Sequence, residues 1–295
     1  MADAGISLVD LKGISEPITK LIESVSKGIG AIYAPIAKVR DAKAEAKSMV
    51  IMAEAKNLVS DISSRAYERV SFRELRRQNN IDAIVGRAAL ELPDAVSDQE
   101  VNEDWIVDFF GLSQDVGDAE MQQVWAKILA GEVANPGTFK PRTLMAVKSL
   151  TADEAKMFTL MCSFSFEIND GEWVLPNFSY EYFAFLRESG LTVDVDLHLK
   201  NIGLLSGSEI YYGSGVVAGE DESEEDFDLV EVSYFSESYF AVVERGEDGM
   251  AMLEAFPFTE IGNELAAIAG AKRNADYVAL LLENGDVISG VDDEE

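Results

Sequence analysis

Residues 119–175 read AEMQQVWAKILAGEVANPGTFKPRTLMAVKSLTADEAKMFTLMCSFSFEINDGEWVL, and a change of hydrophobic period inside this run decides the fold class. Met121, Val124, Trp125, Ile128 and Leu129 recur at the spacing of one helix face until Pro136 and Gly137 stop it. Pro141 opens a short helix to Leu150, and Thr151-Ala152-Asp153-Glu154 has the capping-box spacing ahead of Phe158–Met161. From Phe164 to Ile168 apolar residues alternate with polar ones. Asn169-Asp170-Gly171 then makes a turn, and Glu172–Leu175 returns as the paired strand. Helices give way to a β-hairpin, so the chain is an α+β protein: a helical N-terminal arm and helical middle region, followed by a mixed α/β C-terminal domain.

Working back toward the N-terminus, Ser97-Asp98-Gln99-Glu100 repeats the capping-box spacing before Val101, Trp105, Ile106, Phe109 and Phe110, which predicts a buried helix over 98–110. Trp105, Phe109, Trp125, Ile128 and Leu129 are the expected core of this region. Ile18, Leu21, Ile22, Val25 and Ile29 fall on one face of a helix over 14–29, with Ser15 as its cap and Pro17 in its first turn. Gly28 and Gly30 end it. Pro35 opens a long Ala-, Glu-, Lys- and Met-rich helical stretch, and in its later part Arg65, Arg69, Arg73 and Arg76 are four, four and three residues apart, one basic face. Downstream, SYEYFAFLRESG and VDVDLHLKNIG are helices, the second capped by Thr192, and Ser208–Val217 and Leu229–Val243 are strand-like. The run GEDESEEDFD at 219–228 repels itself into a solvated loop. Thr259 and Asn274 cap two further helices, and an acidic tail closes the chain. The expected domains are an arm over 1–80, a helical domain over 81–163 and an acidic domain over 164–295.

Charge is segregated along the 295 residues. Residues 1–80 carry thirteen Lys and Arg against ten Asp and Glu, whereas residues 161–295 carry five against thirty, within a net charge of −30. A field this uneven favours contact between opposite ends of copies, or with a basic protein surface, over contact with nucleic acid. The longest apolar neighbourhood, GIGAIYAPIA at 28–37, is about half of the roughly 20 residues a spanning helix needs. The start lacks a secretory pattern, so the expected location is the cytoplasm.

Local signals for catalysis are weak. Cys162 lies between Met161 and Ser163 in an apolar context, and the single His198 lies among alternating leucines, so both are expected to be structural. Asp153-Glu154-Ala155-Lys156 is similar to the acidic-x-Lys element of metal-dependent nucleases, yet its capping position explains it without a metal. The glycines near residues 28 and 213 lack the Lys-Ser/Thr ending of a phosphate loop. No cofactor or metal is expected.

The run from Trp125 to Phe158, together with KGIGAIYAP, AKAEA and FTEIGNELAAIAG, resembles the signature of the uncharacterised bacterial DUF2806 family; the resemblance implies shared packing and no known activity. Trp125-Ala126 to Leu129-Ala130 is also reminiscent of the Abi-alpha group associated with phage abortive infection, which implies a defence role. Residues 178–270 resemble a winged helix, whose customary partner is nucleic acid. The charges oppose that partner here: the candidate recognition helix 193–203 sets Lys200 and His198 against Asp194 and Asp196, and the candidate wing 236–253 sets Arg245 against Glu237, Glu244, Glu247 and Asp248. The expected function is a non-enzymatic interaction protein that forms a homo-oligomer through Arg65, Arg69, Arg73 and Arg76, with attraction from Ile62, Val70 and Leu75, and binds a protein with a basic surface. Two alternatives are a peripheral membrane effector acting through residues 14–47 and an acidic nucleic-acid mimic.

Overall fold

A computed structural model describes residues 15–30, 61–168, 171–213, 227–244 and 252–290. The expected helix from Pro35 with Lys38, Arg40, Lys43 and Lys47, the Asn169-Asp170 part of the hairpin turn, residues 219–226 of the acidic run, Arg245, Glu247 and Asp248, and the tail from Val291 lie outside the described residues. The chain divides into two compact units, Met1–Ser149 and Leu150–Glu295, where the sequence suggests three segments. The boundary expected after residue 80 falls inside one unbroken helix, Asp61–Glu91, and the helix Ala152–Cys162 belongs with the sheet.

In the first unit, α1 (Glu16–Ile29) starts after an extended Ser15 with Pro17 in its first turn, and ends at Gly30 in the left-handed conformation, φ 67°. Its buried residues Leu21 and Val25 turn toward α3 (Glu103–Ser113). Gly28 permits the close crossing, because a Cβ there would stand 2.7 Å from Phe110 and 2.8 Å from Ile106. The long helix α2 (Asp61–Glu91) packs its second half on α4 (Ala119–Ala134) through Ile81, Ile84, Val85 and Ala88. Trp105, Phe109, Trp125, Ile128 and Leu129 are all buried as expected. Trp105 stacks on Phe109 at 5.4 Å between ring centres, and Trp125 meets Phe109 edge-on at 5.2 Å. The buried carboxylate of Glu132 accepts from the backbone N–H groups of Gly137 (2.7 Å) and Phe139 (3.0 Å), fixing the turn into α5 (Pro141–Ser149). Phe139 in turn accepts the Trp105 indole N–H at 2.7 Å.

The helix expected over 98–110 begins later, at Glu103, and its cap is Asn102, whose side chain accepts from Trp105 N–H. The Ser97 capping box does not form because its parts are engaged elsewhere. Ser97 N–H donates to Ala134, Ser97 C=O accepts Lys20 Nζ, and Glu100 pairs with Lys27 at 2.8 Å. These bonds tie the linker to α1 and α4 instead of starting a helix.

The second unit opens with α6 (Ala152–Cys162), where Thr151 and Glu154 form both halves of the capping box. The hairpin follows as β1 (Phe166–Ile168) and β2 (Glu172–Pro176), then α7 (Tyr180–Glu188) and α8 (Val193–Asn201), capped by Ser179 and Thr192. After β3 (Ile210–Gly213) come β4 (Phe227–Tyr234), β5 (Glu237–Glu244), β6 (Met252–Pro257), α9 (Glu260–Ala266), α10 (Ala275–Asn284) and β7 (Val287–Ser289). The described strands join one antiparallel sheet in the order β3-β6-β2-β1-β4-β5-β7.

Three readings of this region change. The strand-like run Leu229–Val243 is a hairpin, β4 and β5, reversed at Phe235 and Ser236. β6 and β7 are strands that hydrophobic alternation did not separate from their surroundings. The expected wing is part of a seven-stranded sheet that also contains β1 and β2, larger than the ribbon of the winged-helix arrangement. The sheet's core face carries Phe166, Val174, Val230, Val232 and Tyr234, against which Tyr277 packs at 5.6 Å from Tyr234. Phe235 and Ser236 have φ of 50° and 65°, the sense a two-residue hairpin needs and one that side chains resist. Ser236→Gly is therefore expected to stabilise the protein by about 1 kcal/mol, read from the urea midpoint. A lower midpoint would contradict the turn.

Candidate interaction surface

Helix α2 has two halves of different character. From Asn80 onward Ile81, Ile84, Val85 and Ala88 are buried, and Asn80 Nδ2 donates to Gln114 C=O at 2.9 Å. Residues 61–79, about 28 Å of helix at 1.5 Å per residue, keep their large apolar side chains exposed. Ile62 is 72% and Phe72 73% exposed, with Tyr67, Val70 and Leu75 each above 40%. At 100° per residue, Ile62 falls within the stripe of Arg65, Arg69, Arg73 and Arg76 and Phe72 lies at its edge, so these cations and apolar groups share one side of the helix.

The unbroken helix places the four arginines as their spacing implies, but they are not equally available. Arg65 pairs with Asp61 at 3.1 Å, Arg73 with Glu74 at 2.9 Å and Arg76 with Asp115 at 3.1 Å. Arg69 has no ion-pair partner among the described residues. Arg77, which the stripe spacing passes over, makes the strongest contact: Nε and Nη2 reach the two oxygens of Asp115 at 2.9 and 2.8 Å. That fork fixes the base of the exposed segment. Only the partner's position, thirty-eight residues away, hides it from a sequence reading.

Hydrogen bonding from Arg77 pulls the Asp115 carboxyl from its ordinary 3.8 to about 2, with Arg76 adding to it. A carboxyl depressed in the folded state stabilises above its unfolded value and loses that contribution as pH falls through the folded one, here between 3.8 and about 2. The melting-temperature gap between wild type and Asp115→Asn should therefore narrow across that window. A gap constant with pH would contradict the pairing.

A groove of about 530 Å³ lies between α1 and residues 97–101. Its charges largely answer one another: Lys27 pairs with Glu100 and Lys20 donates to Ser97. In the second unit, His198 Nε2 lies 2.9 Å from Glu154 Oε1, while Glu154 Oε2 accepts from Thr151 N–H and Oγ1 at 2.7 and 2.9 Å. The Thr151 N–H first and His198 second hold the Glu154 carboxyl below its ordinary value. His198 therefore fastens α8 to the capping box of α6. Cys162 is buried, and burial pushes its thiol far up, away from the thiolate a nucleophile requires. Among the described residues, no group of three or more His, Cys, Asp or Glu is placed to hold a metal ion, and no helix is long and apolar enough to cross a membrane.

A family model described as a protein of unknown function (DUF2806) matches residues 64–282. The match begins inside the exposed half of α2 and ends within α10, so it takes in most of both units. No curated protein and no solved structure matches the chain.

Proposed function

The chain belongs to the DUF2806 family, and from that premise we propose that it is a non-enzymatic interaction protein which self-associates through residues 61–79 of α2 and binds a basic protein surface with its second unit. The exposed half of α2 carries this reading. A helical stretch of about 19 residues whose large apolar side chains are left exposed by the described residues is marginal in water, so its helical state and these apolar groups are best accounted for by a partner helix or surface. Residues 150–295 hold six Lys and Arg against thirty-two Asp and Glu, which favours a basic partner and disfavours phosphate.

The membrane-surface alternative loses much of its support, since the apolar face of α1 is committed to the interior of the first unit through Leu21 and Val25. A place in phage defence rests on the Trp125–Ala130 resemblance alone, and a change in plaque formation on deletion would support it.

Light scattering over concentration and salt tests the self-association. Exposed ion pairs contribute only about 0–1 kcal/mol each, so the assembly should weaken in 1 M salt without vanishing. Arg65→Glu with Arg69→Glu should shift it toward smaller species. A monomer at every concentration and salt, in wild type and variant alike, would overturn the proposal.

A further inference from the structure

Strand β6 is bonded on both sides, and its bonding phase determines what β3 leaves open. Asn177 N–H donates to Glu254 C=O, and Phe258 N–H to Trp173 C=O, both at 2.8 Å. Glu254, Phe256 and Phe258 therefore direct their main-chain groups toward β2, and by alternation Leu253 and Ala255 direct theirs toward β3. Ile210 and Tyr212, opposite Ala255 and Leu253, are the residues of β3 that answer them. The N–H and C=O of Tyr211, and those of Gly213 in the same phase, point out of the sheet. β3 is the terminal strand on that side, and no described residue pairs with its outer edge.

The surroundings of this edge are acidic and partly apolar. Ile210 and Tyr211 are exposed. Tyr211 OH donates to Glu254 Oε1 at 3.2 Å, and Asn177 Nδ2 donates to Glu254 Oε2 at 2.7 Å. The Glu209 carboxyl lies against Glu254, which raises its pKa through a shared hydrogen bond. Lys200 is the nearby cation, and it is committed to Asp196 at 2.9 Å and to the ring of Phe256 at 3.7 Å. Two carboxyls crowded on one face beside unpaired main-chain groups suit a strand that brings cations. Edge strands are commonly protected by a charge, and here the protecting charge is negative, so it repels acidic strands and admits basic ones.

We infer that the outer edge of β3 receives an extended segment of a partner protein as an added strand, bonded to Tyr211 and Gly213 and carrying lysine or arginine at every second residue toward Glu209 and Glu254. The inference rests on the reading of the second unit as a binder of basic proteins and names the place where such a protein docks.

The test uses the full chain and two labelled heptapeptides of equal charge, Lys-Val-Lys-Val-Lys-Val-Lys and the same sequence Nα-methylated at every internal residue, followed by fluorescence anisotropy at physiological salt. The methylated peptide cannot donate from any internal residue. The unmethylated peptide should bind at least about tenfold more tightly, and its addition should slow hydrogen exchange at the amides of Tyr211 and Gly213 in the wild-type protein. Tyr211→Pro removes an outward donor without touching the ladder to β6 and should abolish the preference between the peptides. Equal affinity for both peptides in wild type, or unchanged exchange at Tyr211, would overturn the added strand while leaving charge-driven binding of basic proteins in place. Failure of both peptides to bind would overturn the two readings together.

Discussion

Trp125→Ala is expected to lower the stability of the first unit by about 3–5 kcal/mol, the cost of truncating a fully enclosed indole. Trp125 is completely buried and meets Phe109 edge-on, and Phe109 is stacked on Trp105, so one truncation loosens a three-ring cluster. Its indole nitrogen has no hydrogen-bond partner among the described residues. The loss is therefore one of packing and cavity formation, and Trp125→Phe should retain much of what alanine forfeits. Urea denaturation followed by circular dichroism distinguishes the two. A melting curve unchanged by Trp125→Ala would contradict the core described here.

If residues 61–79 mediate the proposed self-association, Ile62→Glu combined with Phe72→Glu should abolish it without unfolding either unit. Burying one large apolar side chain contributes about 1.5–3 kcal/mol, so placing two charges where two such groups meet a partner should weaken association by roughly two to four orders of magnitude. The arginine substitutions act on exposed pairs and should have a much smaller effect. Sedimentation velocity over a dilution series reads both. Equal sedimentation of the double glutamate variant and wild type would place the interface elsewhere.

The elements that sequence reading located share a local cause. Thr151, Ser179, Thr192, Thr259 and Asn274 each accept a bond from a backbone N–H at their own helix start, an interaction complete within four residues. The core residues Trp105, Phe109, Trp125, Ile128 and Leu129 were legible for a similar reason, since helical spacing alone places them on buried faces. Ser97 shows the limit of that logic. It has the same local pattern, but Lys20, Lys27 and Ala134, distant in sequence, occupy the groups a cap would use. β6 and β7 were missed because they are short strands whose pairing partners, β2, β3 and β5, decide their state. At the candidate surface, the arginine stripe was visible from spacing, whereas the Arg77–Asp115 fork that marks the base of the exposed segment depends on a tertiary contact. The open edge of β3 was likewise hidden, because it follows from the order of strands in the sheet.

Hydrogen exchange along α2 as a function of protein concentration tests the central claim most directly, because it needs no substitution. Residues 80–91 are packed within the first unit and should be protected at every concentration. The amides of Asp61–Asn79 should exchange rapidly in dilute protein and become protected as concentration rises, with a midpoint matching the association measured by sedimentation. Rapid exchange of Asp61–Asn79 at all concentrations, beside constant protection of residues 80–91, would show that this half of the helix does not mediate self-association.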